Sequence, residues 1–164
     1  MFITQLKTEK ITVMNNFSLI LQNKVLITAL IGWACSQVLK PFTFMIVNKR
    51  FDASRLTGDG GMPSSHSTFV TSAAVAAGLN YGWDSPVFAI MTVIAFIVMH
   101  DAMNVRYETG KQSKVLNELI EKFNMISDHD VTLEKKLEEF VGHTPLQVAA
   151  GFCLGLVVAL IVNR

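Results

Sequence analysis

Apolar residues run through this chain in long blocks that charges barely interrupt. Residues 60–83 contain no Lys, Arg, Asp or Glu, and neither do residues 140–163; each stretch is 24 residues long. Residues 85–100 form a third uncharged run of 16, and residues 25–48 carry one charge, Lys40. A helix needs about 20 mostly apolar residues to cross a ~30 Å hydrocarbon core. Two runs are comfortably long, one is short and one is interrupted. None has a polar face at helical spacing, as a helix of a soluble bundle would. The pattern predicts an all-α membrane protein with four transmembrane helices, at about 25–47, 66–82, 86–104 and 145–162. A soluble bundle of unusually apolar helices is the weaker alternative.

The connections differ in length and content. Residues 83–85 make a tight turn without cations, whereas residues 105–144 form a long connection. Within it, Val115, Leu116, Leu119, Ile120 and Phe123 recur on one helical face, and Leu133, Leu137, Phe140 and Val141 suggest a second, shorter helix. Asp128-His129-Asp130 reads as the turn between them. This amphipathic insertion between the third and fourth spans is expected against the membrane surface or over a site; a solvated connector is the plain alternative. Residues 1–18 mix Lys7 and Lys10 with Phe2, Ile3, Leu6 and Ile11, as a tail or an interfacial helix would. No small-residue cleavage site ends the first apolar run. Residues 1–164 read as a single membrane-embedded domain.

Composition agrees with the pattern. The chain is 51% hydrophobic and 16% charged with net charge +1, and its mean hydropathy is +0.40. Soluble domains carry roughly 25% charged residues. So sparse and balanced a charge argues against disorder and against a nucleic-acid partner. Cys35 and Cys153 both lie in apolar runs, which is neither a disulfide framework nor a Cys-based zinc site. Ten of the cations, Lys40 included, fall in or near the first and last connections, against four toward the two termini. By the positive-inside rule those connections are cytoplasmic and the termini lie across the membrane.

The residues able to carry chemistry sit where helices are predicted to begin or end. Gly60-Gly61-Met62-Pro63-Ser64-Ser65-His66-Ser67 reads as a capped helix start, with Pro63 in the first turn and Ser64 or Ser65 as the cap. Such a start is an anion site, and His66 would reach a bound phosphate from its first turn. Gly142-His143-Thr144-Pro145-Leu146-Gln147 again sets a His before an apolar helix, with Gln147 four residues on. Gly151 and Gly155 then offer a small-residue face for close packing, and with it a route to a homodimer. His100-Asp101 and Arg106 mark the end of the third helix, and Lys40 lies inside the first, just before Pro41. A capped helix, a snorkelling Lys or an interfacial Arg would explain each piece singly. Alternating helix directions would place Lys40, His66, Arg106 and His143 on one membrane face. Ionisable groups at that depth are functional candidates. No metal-ligand spacing such as HExxH is present, so no metal or other cofactor is expected.

These stretches together resemble the type 2 phosphatidic acid phosphatase superfamily, which includes the vanadium haloperoxidases. More closely, they resemble its divergent branch of small bacterial and plant membrane proteins. The resemblance rests on GGMPSSHS at 60–67, HDAMNVRYETGKQ at 100–112, GHTPLQVAAG at 142–151, and Lys40 upstream. It implies that Lys40 is the Lys of the first superfamily motif, and that residues 63–66 are Pro-Ser-Gly-His with Ser65 in the Gly position. Arg106 and His143 then match the Arg and His of the third motif, with the insertion typical of the divergent branch between them. The implied chemistry is metal-independent hydrolysis of a phosphomonoester or pyrophosphate through a phosphohistidine. His143 would be the nucleophile and His66 the general acid. Lys40, Arg106 and the N–H groups around Ser64 and Ser65 would hold the phosphoryl oxygens.

One position departs from the pattern. Four residues after the nucleophilic His the superfamily has Asp, and the divergent branch generally Glu; this chain has Gln147. A carboxylate orients the imidazole and stabilises its cation. The Gln carbonyl can orient the ring but carries no charge, and Asp101 is the nearby candidate to supply one. The expectation is an integral membrane lipid-phosphate phosphatase with weak activity, or activity dependent on Asp101. Its partners would be the bilayer and a membrane lipid phosphate, its place the cell (inner) membrane, and its site at the cytoplasmic face. A non-catalytic lipid-phosphate binder or transporter on the same scaffold is the alternative.

Overall fold

The computed structural model describes residues 18–52, 60–126, 137 and 142–164. Among these residues there are five long helices and no strand: α1 Lys24–Asn48, α2 Ser65–Tyr81, α3 Pro86–Met103, α4 Val105–Ile126 and α5 Pro145–Val162. Each predicted span coincides with a helix to within two residues. The expected features of residues 1–17, the Asp128-His129-Asp130 turn and the second amphipathic helix lie outside the described residues.

Three helical stretches are long and apolar enough to cross a membrane: Lys24–Asn48, the line Pro86–Ile126 that joins α3 and α4, and Pro145–Val162. The protein is therefore a membrane protein, all-helical among the described residues. The second predicted span, α2, has 17 residues. At 1.5 Å per residue that is about 25 Å, short of a ~30 Å core.

What α2 lacks in length it has in position. It packs against α1, α3 and α5 at once. Its inner residues are almost all Ser, Thr, Ala or Gly, including Ser67, Thr68, Ser72, Ala76 and Ala77, all buried. Lipid tails are as apolar as Leu, so helices in a bilayer associate through close packing and hydrogen bonds rather than hydrophobic burial. The contacts take that form. A Cβ on Gly32 would lie 2.4 Å from Ser72 Oγ; one on Gly151 would lie 2.5 Å from Ser64 O, and one on Gly155 2.8 Å from Thr68 O. Ser67 Oγ donates to Val148 O at 2.8 Å, and Ser72 Oγ to Gly155 O at 3.2 Å. The Gly151/Gly155 face thus serves α2 of the same chain, and a homodimer would have to use another surface.

At the end of the bundle away from the histidines, Asn163 ties three helices. Asn80 Nδ2 donates to Asn163 Oδ1 at 2.7 Å, and Asn163 Nδ2 to Thr28 Oγ1 at 3.0 Å. Larger apolar side chains point outward, among them Ile90, Val93 and Phe96 on α3 and Leu160 and Ile161 on α5. That is the arrangement a lipid solvent favours. The amphipathic α4 keeps Leu119 and Phe123 exposed. Its buried Asn117 holds the backbone of Leu137 from both sides, Nδ2 donating to O at 2.9 Å and Oδ1 accepting from N at 3.2 Å.

Candidate functional site

Two helix starts meet at one end of the bundle. Ser64 is the N-cap of α2: its backbone is extended and its Oγ accepts from Ser67 N at 3.3 Å. Helical geometry begins at Ser65, so Pro63 precedes the cap instead of occupying the first turn. A capping Ser must stand outside the helix to fold its oxygen back onto the amides, which leaves Pro63 one place too early. His66 is the second helical residue, in the first turn as expected. At α5, Thr144 caps and Pro145 is the first helical residue. Thr144 Oγ1 accepts from Gln147 N at 3.4 Å while Gln147 Oε1 accepts from Thr144 N at 3.0 Å, a complete capping box. The two starts are joined directly, Ser64 N donating to Gln147 O at 3.0 Å.

This junction brings His66 and His143 together across 77 residues of sequence. His66 Nδ1 and His143 Nε2 are 3.4 Å apart, with the rings edge to face. His143 is 1% exposed. Its Nδ1 lies 3.4 Å from Gln147 Oε1. That oxygen already accepts from Thr144 N, so it is the carbonyl end of the amide, the end able to accept from Nδ1. With its proton on Nδ1, His143 would present the Nε2 lone pair toward His66 Nδ1.

Lys40 approaches from α1. It is 1% exposed, and its Nζ donates to Ser65 Oγ at 3.3 Å. Lys40, Thr43, Phe44, Gly61, Met62 and Gln147 line a cavity of about 150 Å³. A water needs roughly 10–15 Å³ of such volume, so the space is several waters in size. Thr43, which sequence reasoning passed over, donates to the carbonyl of Met62 and so pins the Gly61–Pro63 loop to α1.

The third helix contributes differently from expectation. Arg106 Nε donates to Asp101 Oδ2 at 3.0 Å, and both side chains are more than two-fifths exposed. Asp101 therefore meets Arg106, and the acceptor at His143 Nδ1 is Gln147. What α3 supplies to His143 is backbone: Ala102 O accepts from His143 N at 2.9 Å. Among the described residues no three His, Cys, Asp or Glu side chains gather as a metal site requires.

A buried Lys, a capped helix start and paired histidines, in this chain order, coincide with a family-wide match. Residues 21–158 match the family described as "Divergent PAP2 family". This chain belongs to that family. A curated relative, described as "Uncharacterized membrane protein YuiD" of Bacillus subtilis (strain 168), is 35% identical over 150 residues, covering 87% of this chain and 95% of its own length. No solved structure matches the chain significantly. Within the family match lie all of the groups described above, from Lys40 to Gln147.

Proposed function

We propose that this divergent PAP2 protein is a metal-independent lipid-phosphate phosphatase. In this reading four helices span the cell membrane and the paired helix starts lie at its cytoplasmic face. The observation that carries it is the meeting of His66 Nδ1 and His143 Nε2, 3.4 Å apart, where the two helix starts join. In this reading Gln147 Oε1 accepts from Nδ1, and a nucleophilic lone pair on Nε2 faces His66, beside a buried Lys40 and the start of α2.

His143 Nε2 attacks phosphorus as the bond to the leaving alkoxide oxygen breaks, and His66 gives its proton to that oxygen. Water then attacks phosphorus, its proton passes to His66, and the phosphorus–nitrogen bond returns its electrons to Nε2. Lys40 and the amides of the α2 start stabilise the charge on the phosphoryl oxygens, which is most of what such a transfer needs. Substrates of this class include phosphatidic acid, phosphatidylglycerophosphate and a polyprenyl phosphate or pyrophosphate.

Gln147 favours a second reading, a lipid-phosphate binder or transporter without turnover, because its amide offers no charge to the imidazolium formed on attack. Phosphate release from phosphatidic acid in mixed micelles without added metal separates the two. The phosphatase reading expects turnover by wild type and its loss in His143→Ala. Saturable phosphate or vanadate binding with no release, or full release by His143→Ala, overturns it.

A further inference from the structure

The backbone that carries His143 is seated in a break of another helix. Between α3 and α4 the helix is interrupted at Asn104, whose φ and ψ of −109° and −76° lie at the edge of the right-handed helical region. In an unbroken helix the carbonyl of Ala102 would accept from the amide four residues on. Here it accepts from His143 N at 2.9 Å. Asn104 stands at the break, its backbone N and its Nδ2 both donating to His100 O at 3.1 Å.

Gly142, the residue before His143, lies flush against the same junction. Its φ is +95°, and a Cβ there would fall 2.3 Å from Tyr107 N, 2.6 Å from Arg106 C and 2.7 Å from Tyr107 Cα. These are backbone atoms, so no rotamer change makes room. The left-handed φ adds a second barrier to any side chain.

We propose that the α3–α4 break positions the nucleophile, with Gly142 and Asn104 as positioning residues that set the distance from His143 to His66. Neither touches the reacting atoms. Gly142 lets the chain enter the notch, and Asn104 keeps the Ala102 carbonyl available to hold it. As a statement about catalysis this rests on the phosphatase reading; as a statement about ring geometry it does not.

The test uses the full chain in lipid nanodiscs with 15N-labelled histidine. There are four histidines, and His143→Ala and His66→Ala assign the two sets of ring signals. Wild type shows His143 protonated on Nδ1. Gly142→Ala moves or broadens the His143 and His66 ring signals and lowers kcat about 10- to 100-fold, the usual cost of a misplaced reacting group, with KM little changed. Asn104→Ala favours a continuous helix that reclaims the Ala102 carbonyl and has the same effects in weaker form. Asn104→Gly, which keeps the break, retains wild-type ring signals.

Gly142→Ala or Asn104→Ala with wild-type ring signals and kcat overturns the proposal, as does equal impairment by Ala and Gly at 104. If Gly142→Ala does not fold, the pair at the exposed position 104 decides. If wild type releases no phosphate, the phosphatase reading falls and the ring spectra alone decide the positioning.

Discussion

Gln147→Glu places a full negative charge on the atom that holds His143. Gln147 Oε1 is 3.4 Å from Nδ1, and attack through Nε2 leaves a positive charge spread over that ring. At this separation and an effective dielectric of about 20, the bare attraction is about 5 kcal/mol. The net gain is smaller, because Gln147 is only partly buried and the new carboxylate loses hydration. A hydrogen bond to a charged group contributes about 1.5–3 kcal/mol against about 1 for a neutral one, a gain of about 0.5–2 kcal/mol. At 1.36 kcal/mol per decade, that is about a 2- to 30-fold increase in kcat. Folding is preserved, since Glu completes the capping box at Thr144 as well as Gln does. The assay is phosphate release at saturating phosphatidic acid, run beside Gln147→Ala. Gln147→Glu at or below wild type, with Gln147→Ala equally active, would refute the role assigned to this side chain.

Further expectations come from the same geometry. Lys40→Met keeps the length of a side chain that is 1% exposed but removes its charge, and is expected to lower kcat about 10²- to 10³-fold in the phosphate-release assay, as loss of a transition-state donor does. Gly155→Val drives a side chain into Thr68 O, 2.8 Å from the ideal Cβ, and is expected to cost about 1–3 kcal/mol of stability, read from thermal unfolding in detergent. Asp101→Asn breaks an ion pair whose partners are 44% and 42% exposed. It is expected to change stability by less than about 1 kcal/mol, and activity far less than Gln147→Ala does. Thr43→Val removes the hydroxyl that pins Met62 and is expected to weaken phosphate binding by about 0.5–1.5 kcal/mol, measured by titration, with Thr43→Ser restoring it.

The helices were legible because a bilayer leaves little choice. Every backbone polar group inside it must be satisfied within the segment, so long uncharged runs become helices. Ser64, Ser85 and Thr144 cap α2, α3 and α5 through local bonds to the third residue on; of these the sequence pattern marked Ser64. The pairing of His66 with His143 followed from helix direction, since α2 and α5 both start on the face where α1 and α3 end. Less was visible at Asp101 and Arg106, five residues apart at a helix end, where local geometry joins them to each other. The Ser and Thr content of α2 gave no sign that this shortest helix is the central one. Centrality depends on which faces are small enough for three neighbours to approach.

The residue order of this chain determined its helices, its membrane class and the set of groups able to handle a phosphate, because propensity, capping and hydropathy act over a few neighbouring residues. Only the tertiary structure decided how those groups are used. It seated Ser64 N on the Gln147 carbonyl and so joined the α2 and α5 starts. It spent the Gly151 and Gly155 face on α2, and it opened a break at Asn104 whose freed carbonyl seats His143. Each of these joins atoms from helices far apart in sequence. Such contacts depend on how closely two backbones approach, and no local pattern records that distance.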